Sequence, residues 1–249
     1  MKYAPGLFGL LALALWEAAV RLLDVPVYQL PGPIAIAGAF VADPVGLLGS
    51  LASTLIVTFA ALTVAAVLGV AMAVAMSASR LAQAAIQPWA VALQVTPLPA
   101  IAPLVIIWVG EPFVALVVCA TIVAFFPLFA NTATGLASTA PELNDLFHLY
   151  GANRRQTLSL LRLPAALPYF LSGLRISGGL ALVGAVVAEL VAGSGGFASG
   201  LAYRILEASF RLEMPRMFAA LFLLALAGIL LNFGLGAVGS AILRRRGLA

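Results

Sequence analysis

Leu51-Ala-Ser-Thr-Leu-Ile-Val-Thr-Phe-Ala-Ala-Leu-Thr-Val-Ala-Ala-Val-Leu-Gly-Val-Ala-Met-Ala-Val-Ala-Met76 is a continuous apolar run without a charged residue. A helix that crosses the hydrocarbon core of a bilayer consumes about 20 residues, so this run is long enough. The strands of an outer-membrane barrel alternate apolar and polar residues. This run does not alternate, and it reads as a transmembrane helix.

Outward from it, five further segments have the same character: Gly6 to Leu23, Pro88 to Val109, Phe113 to Leu136, Tyr169 to Ala192 and Met217 to Leu243. Six spans use most of the 249 residues and leave no room for a soluble domain of ordinary size. Composition agrees. Apolar residues make up 63% and charged residues 9%, and the mean hydropathy is +1.13. A soluble domain is roughly half apolar and about a quarter charged. The expected class is therefore all-α and polytopic, a single transmembrane domain over residues 1–249. Lys2 ahead of the first apolar stretch resembles a signal peptide, but Trp16 and Glu17 occupy the place of a small-residue cleavage site, so a retained first helix is expected.

Basic residues near span ends set the orientation. With the N-terminus inside, Lys2, Arg80, Arg154, Arg155, Arg162 and Arg244 to Arg246 lie on the cytoplasmic side. Arg21, Arg204, Arg211 and Arg216 lie opposite, diluted by five acidic residues. Both termini are then cytoplasmic. Because the cations fall at span ends and form no patch, the net charge of +4 does not point to nucleic acid. Cys119, the one cysteine, lies in an apolar run and has no disulfide partner.

Small residues recur every fourth position at Ala61, Ala65, Gly69, Ala73 and Ser77, and again at Gly228, Asn232, Gly236 and Ser240. Such stripes let helices approach closely in lipid, either within the chain or at a subunit interface. Thr96-Pro97-Leu98-Pro99, followed by Pro103, removes several helical hydrogen bonds from the third span. Pro127 has a milder effect in the fourth. Irregular backbone inside a membrane survives only against protein or a water-filled cavity. Thr96, Pro97, Pro99 and Pro103 are therefore candidates for lining a substrate pathway or for simple kinking. Glu189, an acid inside the fifth apolar segment, is a pathway residue or a structural hydrogen-bonding partner. Glu17 and Arg21 are placed to pair one turn apart.

No soluble-type catalytic constellation is visible, and with His148 the only histidine no metal cluster is expected. No cofactor is expected either. Gly193-Ser-Gly-Gly-Phe lacks the Lys-Ser/Thr pair of a phosphate loop and reads as a turn. The chain is not expected to be an enzyme or to bind ATP itself.

The extended polar interruption runs from Ser138 to Pro168. Pro141 to Gly151 reads as a short amphipathic helix, with Leu143, Leu146, Phe147 and Tyr150 at helical spacing and Gly151 as its stop. Arg154 to Arg162 reads as a second helical turn region, ended by Leu163-Pro164. An apolar face between basic flanks docks into lipid headgroups or into a protein groove.

Gly151, nine residues, Leu161, one residue and Leu163-Pro164 resemble the "EAA" motif of permease subunits in binding-protein-dependent ABC importers: Glu-Ala-Ala, three residues, Gly, nine residues, Ile, one residue, Leu-Pro. The first three positions fall on Asp145, Leu146 and Phe147, keeping the acid in kind and losing both alanines. Leu15-Trp-Glu, Leu30-Pro-Gly-Pro, Thr96-Pro-Leu-Pro-Ala-Ile-Ala-Pro-Leu, Ile107-Trp-Val-Gly, Phe126-Pro, Gly173-Leu-Arg and Ala188-Glu are similar to the nitrate/sulfonate/taurine-type subfamily. The resemblance implies a type I importer permease of MetI-like architecture in the bacterial inner membrane. It implies a pore of two copies, cytoplasmic ABC ATPase subunits and an external solute-binding protein. It also implies that Asp145, Leu146, Phe147, His148, Tyr150, Gly151, Leu163 and Pro164 contact the ATPase. Solutes of the subfamily are small anions or heterocyclic vitamin precursors. An ion-coupled carrier is the competing class, but the internal repeats that mark carriers are not evident.

Overall fold

The structure, a computed structural model, describes residues 4–193 and 199–247. Among these residues the chain is helical, without a strand: α1 (Ala4–Leu22), α2 (Pro33–Ala42), α3 (Pro44–Ala78), α4 (Arg80–Val95), α5 (Leu98–Val109), α6 (Pro112–Ala137), α7 (Pro141–Leu149), α8 (Arg154–Gln156), a π-helical turn (Thr157–Arg162), α9 (Leu163–Ala192), α10 (Leu201–Phe210) and α11 (Met214–Arg245). Short-range chemistry sets many of the boundaries. Ser79 is extended and its side chain accepts the Ala82 N–H at 3.0 Å, opening α4. Gly110, at φ +70°, closes α5 in the left-handed region. Glu111 then caps α6 by accepting the Val114 N–H at 2.6 Å, with Pro112 at the first helical position.

Four helical runs are long and apolar enough to cross a membrane: Pro44–Ala78, Pro112–Ala137, Arg154–Ala192 and Met214–Arg245. The pair Leu81–Val95 and Leu98–Val109 adds a fifth if counted as one span. This is four or five among the described residues, against the six expected. The first expected span is helical over Ala4–Leu22, which carries Glu17 and Arg21 in its last turns. The third is not a straight helix, because its halves meet at 104°. Thr96 precedes a proline, and the clash with the proline Cδ drives such a residue out of the α region. Thr96 sits at φ −75°, ψ 124°, and Pro97 follows at φ −71°, ψ 114°. Pro88, Pro103 and Pro127 instead lie inside unbroken helices.

The chain divides into two compact units. One comprises Met1–Thr54 and Gly193–Ala227. Its core gathers Ile36, Leu47, Leu201, Ala219 and Ala220, with Trp16 against Phe218 and Phe222 at ring distances of 6.3 and 6.0 Å. At its polar margin Arg216 pairs with Asp43 at 2.6 Å, Arg204 with Glu207 at 3.1 Å, and Arg21 with Glu17 at 2.7 Å, the last as expected.

The other unit comprises Leu55–Ala192 and Gly228–Ala249. Here α6 and α9 lie antiparallel and nearly in backbone contact. A Cβ on Gly135, Gly173 or Gly184 would lie 2.8 Å from the Ala166 Cα, 2.9 Å from the Asn131 Cβ or 2.8 Å from the Ala120 Cα, respectively. Between these points the Ser177 hydroxyl donates to the Ala124 carbonyl at 2.6 Å. The α3 stripe joins them. Ala61, Ala65, Gly69 and Ala73 are buried, and a Cβ on Gly69 would lie 3.1 Å from the Phe129 N. The α11 stripe faces α9 through Gly228 toward Leu182 and Gly236 toward Arg175. Both stripes therefore serve packing within the chain.

The α6–α9 contact tolerates no added methyl where backbone faces backbone. Gly184→Ala should destabilise by about 1–3 kcal/mol. Gly179→Ala, with nothing within 4 Å of the added carbon, should not. Thermal unfolding of the two detergent-solubilised variants checks this.

Candidate functional site

The polar loop begins where α6 ends, with the Ser138 N–H and hydroxyl both donating to the Gly135 carbonyl at 3.3 and 2.9 Å. Pro141 then starts α7, a nine-residue helix with Glu142 in its first turn, where the helix dipole favours an acid. Its end is a full Schellman motif. Gly151 is left-handed at φ +70°, its N–H donates to the His148 carbonyl at 3.0 Å, and the Ala152 N–H donates to the Phe147 carbonyl at 2.9 Å. Gly151 thus stops the helix as the sequence reading expects.

No residue of α7 is buried. Leu143 and Leu146 are about half exposed, while Leu149 and Tyr150 are each 84% exposed. Asp145 and His148 are exposed as well, and only Asn144 and Phe147 turn partly inward. A nine-residue helix is too short to be stable on its own propensity, so its attachments decide its position. The Arg162 guanidinium donates through Nε and Nη2 to the Asn144 Oδ1 at 3.4 and 3.3 Å, and ties α7 to the turn that precedes α9.

That turn departs from the sequence reading. Leu163-Pro164 does not end a helix. Arg154–Ala192 is one helical run of 39 residues. Asn153 and Gln156 open it with a reciprocal capping box, at 2.9 and 2.8 Å. The Leu163 N–H then reaches back five residues to the Leu158 carbonyl. A proline inside a helix lacks an N–H and crowds the carbonyl four residues earlier. Here the wide π-helical turn has already shifted the hydrogen-bond register when the chain meets Pro164, near the start of the new register. Leu163 is 38% exposed and Pro164 partly buried. Both adjoin Arg162 and stand apart from the α7 residues. Arg162 also lines a cleft of about 390 Å³ with Met76, Ser77, Ser79, Gln83 and Leu136.

The candidate pathway residues do not form one cluster with the loop. Thr96, Pro97, Pro99 and Pro103 are exposed at the bend between α4 and α5. Thr96 returns its hydroxyl to the Ala92 carbonyl at 2.6 Å. Glu189 is buried and partnered in the last turn of α9. The turn expected after α9 falls, beyond Gly193 at φ +63°, on residues 194–198, outside the described residues. One feature escapes the sequence reading: the Asn144–Arg162 tie joins residues 18 apart and has no local pattern. Arg175, six residues into the span expected over Tyr169 to Ala192, lies twelve residues inside α9, where Asn232 accepts from its Nε and Nη2 at 3.1 and 2.8 Å.

Residues 65–246 match the family described as the inner membrane component of binding-protein-dependent transport systems. The chain is 35% identical to the formylaminopyrimidine transport permease protein ThiX of Halalkalibacterium halodurans, over 91% of this chain and 89% of that protein. It is 33% identical to the riboflavin transport system permease protein RibX of Chloroflexus aurantiacus, over 87% and 80%. It is 29% identical to the putative aliphatic sulfonates transport permease protein SsuC of Bacillus subtilis, over 87% and 78%. In fold, it is similar to a chain in the crystal structure of an amino acid ABC transporter with histidines: TM-score 0.66, 18% identity, covering 83% of this chain and 96% of that one. These relatives span several solute classes and do not single out the nitrate/sulfonate type.

Breaking the Asn144–Arg162 tie should release α7. Asn144→Leu is expected to speed amide hydrogen exchange across 142–150 while leaving the rest of the chain unchanged. Asn144→Asp, which gives Arg162 a charged acceptor, should restore protection.

Proposed function

Because the chain belongs to the family of inner membrane components of binding-protein-dependent transport systems, we propose that it is the pore-forming permease subunit of an ATP-driven importer of a small solute. In this reading two copies form the pore, and an external solute-binding protein delivers the solute. Two ABC ATPase subunits bind on the cytoplasmic side, where both termini lie. The observation that carries it is α7: a short helix with an exposed apolar face and no buried residue, its end fixed by Gly151. Leu143, Leu146, Leu149 and Tyr150 offer a side for a groove on the ATPase. Asp145 and His148 are exposed on the adjoining side of the helix.

ATP-driven closure of the ATPase pair moves α7, and α7 moves Arg162 and the base of α9. The bundle then shifts between inward-open and outward-open packings, and ATP changes which is populated. Hydrolysis belongs to the ATPase.

For the solute, a small anion such as a sulfonate, taurine or nitrate is the first reading. A pyrimidine or other heterocyclic vitamin precursor is the second, favoured by the greater identity to the formylaminopyrimidine and riboflavin relatives than to the sulfonate one. The exposed prolines at the α4–α5 bend line the route in either case, with Glu189 supporting the far end of α9.

At Gly151 a β-branched residue would be forced to adopt φ +70°, at a cost of about 1–3 kcal/mol. Gly151→Val and Asp145→Arg are therefore expected to uncouple ATP hydrolysis from uptake: ATPase activity persists while solute accumulation in vesicles falls. Wild-type uptake in both variants would remove α7 from the docking role.

A further inference from the structure

Arg175 is the cation of this chain whose position composition does not explain. It lies twelve residues from Leu163 and seventeen from Ala192, within α9. At 1.5 Å per residue α9 is about 45 Å long, longer than the roughly 30 Å of hydrocarbon, so the neighbouring span is the better guide. Ser177, half a turn on, bonds to Ala124, the midpoint of Pro112–Ala137. Arg175 therefore lies within the apolar stretch of α9, beside the middle of α6.

Its surroundings are built to keep it there. The Asn232 Oδ1 accepts from Nε and Nη2. The guanidinium lies against Gly236, where a Cβ would stand 3.4 Å from its Cζ. Asn232 is neutral, and among the described residues Arg175 makes no ion pair. Arginine remains protonated in proteins, so a whole positive charge remains. It is exposed at the surface of the chain, and Gly179, one turn on, has nothing within 4 Å of where its Cβ would be. An uncompensated charge on the apolar stretch of a spanning helix is costly in lipid, and is retained where it faces water or an anion. The part of the guanidinium not engaged by Asn232 is a planar donor fork suited to an oxyanion.

We propose that Arg175, held by Asn232 over Gly236, is an anion-binding residue on the wall of the translocation pathway, and that it takes a sulfonate, carboxylate or phosphate group of the passing solute. The inference rests on the importer reading and narrows its solute to the anionic class.

The test uses the full chain in membranes with its partner subunits. Gly179→Cys places a thiol one turn from Arg175, and the unsubstituted chain, whose Cys119 is fully buried, is the blank. The expected result has three parts. An anionic methanethiosulfonate reagent modifies Gly179→Cys. Methanesulfonate slows the reaction, whereas the neutral isostere dimethyl sulfone does not. The protection is lost when Arg175→Gln is added and kept with Arg175→Lys. Absence of modification would mean that this face meets lipid or protein, and would overturn the proposal. Equal protection by the two probes, or protection that survives Arg175→Gln, would overturn it too. Labelling needs neither ATP nor turnover, so a failure of ATP-driven uptake would count against the importer reading and leave this result to be judged separately.

Discussion

In hydrocarbon nothing presses one apolar helix against another, because the lipid is as apolar as the side chains. What holds α6 to α9 is how closely their backbones approach. That approach is set at a few positions without side chains: Gly135 against Ala166, Gly173 against Asn131 and Pro127, Gly184 against Ala120. Where the two are this close, the hydroxyl of Ser177 can reach the carbonyl of Ala124. α3 then seats its buried alanines on the same pair, and α11 lies along the opposite flank of α9. With α9 fixed in this way, its loop-side end has a defined place, and so do Arg162 and the helix tied to it.

The polar features divide by how they are compensated. In the unit that holds α2 and α10, arginines meet carboxylates: Arg216 with Asp43 and Glu213, Arg204 with Glu207. Along α9 the compensation is by neutral amides, Asn144 for Arg162 and Asn232 for Arg175. A neutral acceptor positions a guanidinium without cancelling its charge, so both arginines keep their electrostatic reach.

Much of the fold is legible in the sequence, because its signals are continuous apolar runs and turn residues that act locally. Gly151 as a helix stop, Pro97 as a break, and the small-residue stripes all behave as their chemistry dictates. What is not legible depends on neighbours in space. The periodicity of a stripe does not say whether its partner lies in the same chain. A proline at position 164 suggests a stop, and only the π-helical turn before it turns that stop into a continuation. Arg175 reads as a span-end residue as long as α9 is taken to begin at Tyr169. Six residues of additional helix, starting at Leu163, place it twelve residues inside α9. The loop residues Asp145 to Gly151 are found by pattern, but the tie that positions them joins residues with no sequence signature.

The unbroken run from Arg154 to Ala192 has a mechanical consequence. With a hinge at Leu163-Pro164, a push on the loop would be absorbed as a change of angle between two short rods. Without one, the segment beside the loop and the transmembrane helix form a single stiff shaft of about 58 Å, at 1.5 Å per residue. The glycine-lined contact with α6 runs along it from Ala166 to Gly184. A shaft held over that much of its length would pass a displacement at its loop end on to α6 as well, because no joint lies between the loop and the contact to absorb it.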